Sequence, residues 1–411
     1  MLMIKLAFRN ILRNKRRTIL TMLSMFGGYT LLVLSISVQS GSYDQVIDFF
    51  TQDSTGHAQV FSPGYLEKPT LYKTVPETEE FYQQIKSLNR VTHAVPRIVS
   101  GAIAYGETKS FPVQVIGVDA IKEREMSFLE DKVKQGLYFT DLPTRDGLFD
   151  AMIGAAVARQ LSLAVGDELI LISQASDGSL ANDIYNVRAI IGDQKGAEAR
   201  SVYLPIAAAQ SFYVMESQAH YWAVLSDDVG YSDKLAADLN SWLQQSAFSN
   251  LQSQSWKVVA KDFYAAMTAD IEGGYISYYI IVLLIGIGVL NTVLMSVLER
   301  TGEFGVLKAI GTSPKRLFTL IVLETLMLAV LSCMIGFLVS LPINYFLAHV
   351  GISLPDPVEF SGVTMSHMQG LWNVSVFAEP ALIIISAAAL ISLFPARRAA
   401  RIVPVEAMRS L

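Results

Sequence analysis

One cysteine, Cys333, stands among 411 residues, and it lies in an apolar run. A disulfide within the chain is therefore excluded, as is a cysteine metal cluster. Histidine is almost as scarce: His57, His93, His220, His349 and His367 are scattered, without an H-E-x-x-H pair, so the pattern offers no metal site. Charge is the third scarcity. Only 17% of the residues are charged, where a soluble domain carries about 25%, while 52% are apolar and the mean hydropathy is +0.38. Catalytic signatures are missing too. No G-x-x-x-x-G-K-[ST] occurs. The nearest approach, residues 101–108, puts Glu107 where the phosphate-binding lysine belongs, so it would repel a nucleotide. With no G-x-S-x-G either, the sequence names no catalytic residue and points away from an enzyme.

What is present is long apolar sequence. A helix needs about 20 apolar residues to cross a bilayer, and four stretches qualify: 18–39, 275–298, 317–349 and 377–395. The third carries Pro342 and is long enough to tilt, kink or project. Charge is segregated around the spans. Residues 1–17, 299–316 and 396–411 together hold 14 Lys or Arg against 3 acids, and residues 40–274 hold 18 against 30. The connection 350–376 has neither Lys nor Arg. This is the pattern of two membrane sides, not of a nucleic-acid footprint. The positive-inside rule then predicts both termini (1–17 and 396–411) and the loop 299–316 in the cytoplasm, with 40–274 and the loop 350–376 outside. The first apolar stretch exceeds the core of a cleavable signal peptide, so it reads as a retained anchor.

Within 40–274 the pattern is mixed. Strands are predicted at 111–118, 168–172, 186–191 and 201–204, with helices at 155–163 and 207–213, which together indicate an α+β domain. Residues 43–50 and 258–271 keep helical spacing, so both adjoining spans are expected to continue outward as stalks. Gly273-Gly274 is the expected hinge or break in a helix over 258–298. Residues 1–17 read as an amphipathic interfacial helix, with Lys5, Arg9 and Arg13 opposite Ile4, Phe8, Ile11 and Leu12. Inside the spans, Glu324 is an expensive acid whose nearest candidate partners are Arg300 and Lys308. Ser24 and Gly28 in the first span, and Gly286 and Gly288 in the second, are small residues suited to close helix packing, within one chain or between two.

The run 299–313, ERTGEFGVLKAIGTS, resembles the signature that follows the second span of FtsX-like ABC permeases, the MacB and LolC/LolE superfamily. Residues 7–18, AFRNILRNKRRT, resemble that family's start, and 394–409, FPARRAARIVPVEAMR, its usual ending. Phe304 stands where many members have isoleucine. The resemblance covers the whole plan: one span, a large external α+β domain, then three spans in the bacterial inner membrane. It implies a permease subunit that binds no cofactor. A separate ATPase dimer would use ATP and magnesium, and a second permease, identical or paralogous, would complete the assembly. Membrane lipids would surround it, and a periplasmic carrier or adaptor is among the partners the family admits. Glu303, Phe304, Leu307, Lys308 and Ile310 would form the ATPase-contacting coupling helix. Ser255-Trp256 and residues 296–300 resemble lipoprotein-releasing members more than exporters, implying lipidated or amphipathic cargo. Export of peptides, antibiotics or toxins remains an alternative. So does a signalling complex that activates a cell-wall hydrolase.

Overall fold

Apolar length sets the architecture, because a chain crossing lipid must satisfy every backbone polar group internally, and a helix does so. The computed structural model describes residues 2–13, 15–360 and 363–403. Residues 404–409 of the C-terminal motif, Arg409 included, lie outside the described residues. Among the described residues, four helices are long and apolar enough to cross a membrane: Lys15–Phe50, Lys261–Glu299, Pro314–His349 and Val374–Ala400. The chain divides into two units, one of Met1–Asp44, Thr268–Pro355 and Ser366–Leu411, which holds most of these helices, and one of Gln45–Met267 and Asp356–Met365.

In the first unit the spans share a core of Met25, Tyr29, Leu32, Val289, Val293, Ala329, Ile384 and Ala388. Small residues set how closely the helices approach. A Cβ on Gly28 would collide with the Ile285 side chain, and one on Gly286 would lie 2.8 Å from Cδ1 of Ile391. Gly288 is only in ordinary contact distance of Ser24. Gly28 and Gly286 thus pack within this chain. Pro342 sits inside the third span, and the helix runs on through it to His349. Toward the far end, Tyr29 donates to Phe377 O (3.0 Å) and Asn344 to Leu371 O (3.2 Å), which fasten the third and first spans to the segment entering the fourth. Between the last two spans, Ile352–Phe360 and Val363–Met368 pair as a two-stranded hairpin, most of which, Asp356–Met365, is grouped with the second unit.

The second unit is α+β. Nine strands run in the order Gln252–Ser255, Ala58–Phe61, Tyr221–Ser226, Val91–Tyr105, Ser110–Val118, Ser201–Pro205, Asp150–Gly154, Leu180–Ile191 and Val133–Gly136. A tenth, Glu168–Gln174, bridges Val91–Tyr105 and Leu180–Ile191. Most pairs are antiparallel, and two are parallel. The fifteen-residue strand Val91–Tyr105 is long enough to pair with three neighbours, which makes it the spine of the unit. Helices Glu79–Lys86, Ile206–Tyr213 and Ser232–Gln245 cover the core, where Phe81, Trp222, Trp242 and Phe248 meet ring to ring.

Two expectations need correction. The helix expected over 258–298 is interrupted near its start: Trp256–Val259 forms a separate turn, Ala260 leaves helical geometry at φ −109° and ψ 50°, and the long helix begins at Lys261. The break lets the buried Trp256 fold back edge-on to Phe263 and Tyr264. Gly273-Gly274, in contrast, is no break. The helix passes straight through it, and the absent side chain at Gly274 leaves room for Gln39, which accepts from the Tyr278 hydroxyl.

Candidate functional site

The residues singled out between the second and third spans form a short helix, Thr301–Ala309. Its boundaries follow from local chemistry. Arg300 leaves helical geometry, and Thr301 Oγ1 donates back to Leu298 O (2.8 Å). At the other end Gly311 adopts φ +100°, and Thr312 N reaches Leu307 O (2.9 Å), a left-handed stop that favours glycine. Ser313 then precedes Pro314 at the first turn of the next span, where a proline loses no hydrogen bond.

Four charges alternate at this place. Arg13, from the N-terminal helix Leu2–Arg13, donates to both oxygens of Glu303 at 2.5 and 2.6 Å. Glu303 also accepts from Arg300 Nε (3.1 Å), and Arg300 Nη1 lies 3.2 Å from Glu324 Oε2. The sequence offered Arg300 or Lys308 for Glu324, and the structure selects Arg300. Lys308 is instead turned to the end of the fourth span, where it donates to Ala400 O (3.1 Å) and Ile402 O (2.6 Å). The hub thus ties together the N-terminal helix, the short helix and the third span, while Lys308 adds the fourth. Beside the ion pair lies a small, partly open and mostly apolar cavity of about 20 Å³, lined by Val293, Val297, Phe304, Ile321 and Leu328 together with Thr21, Thr292, Ser296 and Thr325. At Glu303 burial pushes the carboxyl up, but hydrogen bonds from Arg13 and Arg300 outweigh it and hold the group below its usual range.

Phe304, one of the residues that the resemblance would set against the ATPase, is buried. It is 1% exposed, stands under the Arg300 guanidinium at 5.1 Å, and belongs to the core of the spans, against which Leu307 also packs. The exposed face is a different one: Glu303, Val306 at 46% and Ile310 at 75%. The helical repeat explains the division. Residues 304, 307 and 308 fall on one side of a 3.6-residue helix, and 303, 306 and 310 on the other. The sequence reading merged the two faces and missed Val306, which that spacing could have identified. Arg13 reads in the sequence as part of the charged face of an interfacial helix, because nothing local announces a partner 290 positions away. Of the amphipathic first helix, Ile11 is buried and Phe8 half exposed; the side chains of Ile4, Lys5 and Leu12 lie outside the described residues.

Comparison with known proteins fits this plan. Residues 18–241 match the MacB-like periplasmic core domain, and residues 275–404 match the FtsX-like permease C-terminal domain. The lipoprotein-releasing system transmembrane protein LolC of Neisseria meningitidis serogroup B is 20% identical over 97% of this chain and 95% of its own. The macrolide export ATP-binding/permease protein MacB of Wolinella succinogenes is 22% identical over 99% of this chain, which spans only 60% of that relative's length. The match to the ABC transporter permease YtrF of Bacillus subtilis covers 26% of this chain and 27% of that protein. Among solved structures, the periplasmic region of MacB from Actinobacillus actinomycetemcomitans aligns over 54% of this chain and 98% of its own, at 14% identity and a TM-score of 0.38. With one model spanning the first span and most of the outer unit, and the other the last three spans, the chain belongs to the FtsX-like ABC transporter permeases with a MacB-like periplasmic core domain, the type that includes MacB, LolC and LolE.

Proposed function

We propose that this chain is the permease subunit through which a separate ATPase drives motion of the outer unit, and that its cargo is a lipoprotein or another lipidated, amphipathic molecule. It works as a pair with a second permease in the bacterial inner membrane, both termini in the cytoplasm and the outer unit in the periplasm. The observation that carries the reading is the helix Thr301–Ala309, held by Phe304 and, through Glu303, by the charged hub, and presenting Val306 and, just past its end, Ile310. A helix anchored in this way passes a push on its exposed face to three other helices. No phosphate-binding loop occurs within these 411 residues, and hydrolysis is assigned to a partner ATPase as part of this proposal. Similarity to LolC over nearly the full length of both chains supports lipidated cargo. The similarity to MacB, over 99% of this chain but only 60% of that protein, supports peptide or antibiotic export as the second reading.

The test uses the exposed face. Val306→Glu with Ile310→Glu should leave the permease folded and stop co-purification of the ATPase, since one apolar anchor in an interface is worth about 2 kcal/mol or more. Retention of the ATPase by this variant, with hydrolysis still coupled, would reject the docking face. Mass spectrometry of molecules bound to the intact complex then separates lipidated cargo from peptides and antibiotics.

A further inference from the structure

The first spanning helix does not enter the outer unit through a loose linker. After Phe50 its ladder widens into one π turn, Thr51–Thr55, which Gly56 closes at φ 68°; a Cβ on Gly56 would press on the Val224 backbone. Such turns are rare and occur mostly at functional places. Two carbonyls of this one are taken by a single side chain. Arg97, on the spine strand, donates from Nη1 to Ser54 O and from Nη2 to Gln52 O (3.3 Å). The same guanidinium forks onto Glu123, with Nε at 3.1 Å and Nη2 at 2.7 Å. Both side chains are 3% exposed. On the opposite flank Asp53 accepts from Phe128 N (2.9 Å) and pairs with Lys132 (2.8 Å), which also lies 3.5 Å from Glu198. Phe49 meets Phe128 edge-on at 5.0 Å, and Phe50 stacks on Phe263, near the start of the second long helix, at 3.9 Å.

Stability alone does not call for this arrangement, because a buried ion pair can usually be replaced by apolar side chains of similar volume without loss. What a guanidinium offers and apolar packing lacks is direction: five donors in a rigid plane, here divided between a carboxylate on the 120–126 helix and the backbone of the incoming stalk. We propose that Arg97 and Glu123 form a buried clamp that makes the end of the first spanning helix a fixed point on the spine of the outer sheet, and that they are positioning residues for the transfer of the nucleotide cycle to that sheet. The proposal rests on the function given above and deepens it. The clamp touches no cargo; it sets which strand moves when the stalk moves.

The experiment is hydrogen exchange by mass spectrometry on the full chain with its ATPase in nanodiscs, nucleotide-free and after trapping with ATP and vanadate. In the unaltered chain, trapping should change exchange at 301–312, at 45–55, and at 91–105 and 120–132. In Arg97→Met with Glu123→Met the response at 301–312 should persist, while that at 91–105 and 120–132 falls at least fivefold. Arg97→Lys, which keeps the charge but not the fork, should fall between. An undiminished outer response in the double variant overturns the clamp while leaving the functional reading intact. Should the double variant lose protection throughout the outer unit before nucleotide is added, Lys132→Met on the more exposed flank decides: a weakened outer response supports the clamp, and an unchanged one reduces Arg97 to a folding role. No response at 301–312 in the unaltered chain would remove the functional reading and the clamp with it.

Discussion

Arg300 and Glu324 meet at 3.2 Å with their side chains only 7% and 11% exposed, one just past the end of the second span and the other well inside the third. An intramembrane acid is thereby neutralised by the first residue beyond the neighbouring helix. Arg300 in turn shares Glu303 with Arg13, so the pair is the inner half of a chain of alternating charge that reaches the surface.

Breaking this pair on one side should cost far more than removing it. Arg300→Met strands a nearly buried carboxylate and is expected to destabilise the chain by about 3–5 kcal/mol, whereas Arg300→Met with Glu324→Met should lie near the unaltered protein. Unfolding in mixed micelles by added dodecyl sulfate measures both. Equal losses in the single and double variants would mean that the attraction itself, and not the stranded charge, is what matters.

Two adjacent glycines should answer differently to the same change. A Cβ at Gly27 meets nothing within 4 Å, while one at Gly28 runs into Ile285. Gly28→Ala is expected to cost about 1–3 kcal/mol by overpacking. Gly27→Ala should be neutral or stabilising by up to about 1 kcal/mol, since alanine is the better helix former. The same micelle titration checks this, and a Gly28→Ala variant as stable as Gly27→Ala would show that the two spans are not in close contact.

Topology is open to chemical labelling. With the buried Cys333 replaced by serine, a cysteine at Asp177, in an exposed turn of the outer unit, should react with an impermeant maleimide in cells whose outer membrane has been opened. One at Ser313, in the basic loop 299–316, should react only after the inner membrane is permeabilised. Reaction at Ser313 in intact spheroplasts would reverse the orientation read from the basic residues.

The outer unit should weaken in acid through two histidines. His57 Nδ1 accepts from Ser226 N (3.1 Å) and His220 Nδ1 from Val99 N (2.9 Å), and the buried Nε2 of His220 has no partner in the structure. Burial pushes both down to about 4, although Asp228 and Asp227 pull His57 partly back. Between that value and the unfolded value of about 6.5 the unfolded chain binds the extra protons. The contribution is therefore complete above about pH 6.5 and is lost as the pH falls toward 4, at about 1.4 kcal/mol per pH unit for each histidine. Tryptophan-monitored melting from pH 7.5 to 4.5 should show the slope, and His220→Phe should flatten it. An identical slope in that variant would acquit His220.

Part of this protein was readable along the chain. The four spans, the basic segments that flank them, the short helix after residue 300 and a pairing of Glu324 with a nearby base follow from apolar length, charge sign and helical spacing, all of which act over a few turns. The strands around Phe111–Val118 and Glu168–Ile172 were visible for the same reason. Other features were not. The spine strand Val91–Tyr105 has no clean alternation, because different stretches of it face different neighbours. Phe304 carries no local sign of its burial, which comes from the core that the spans form together. Trp256 broke a helix that its spacing alone would have continued. Above all, Arg97 finds Glu123 26 positions away and the stalk carbonyls more than 40 away, and Arg13 finds Glu303 at 290. Which residues enter the membrane was determined by the sequence itself, because the free energy of burying a segment in lipid is summed residue by residue over that segment. Which charges meet was decided by the tertiary structure, because the attraction between two ions depends on the distance and dielectric between them, and only the folded topology sets either.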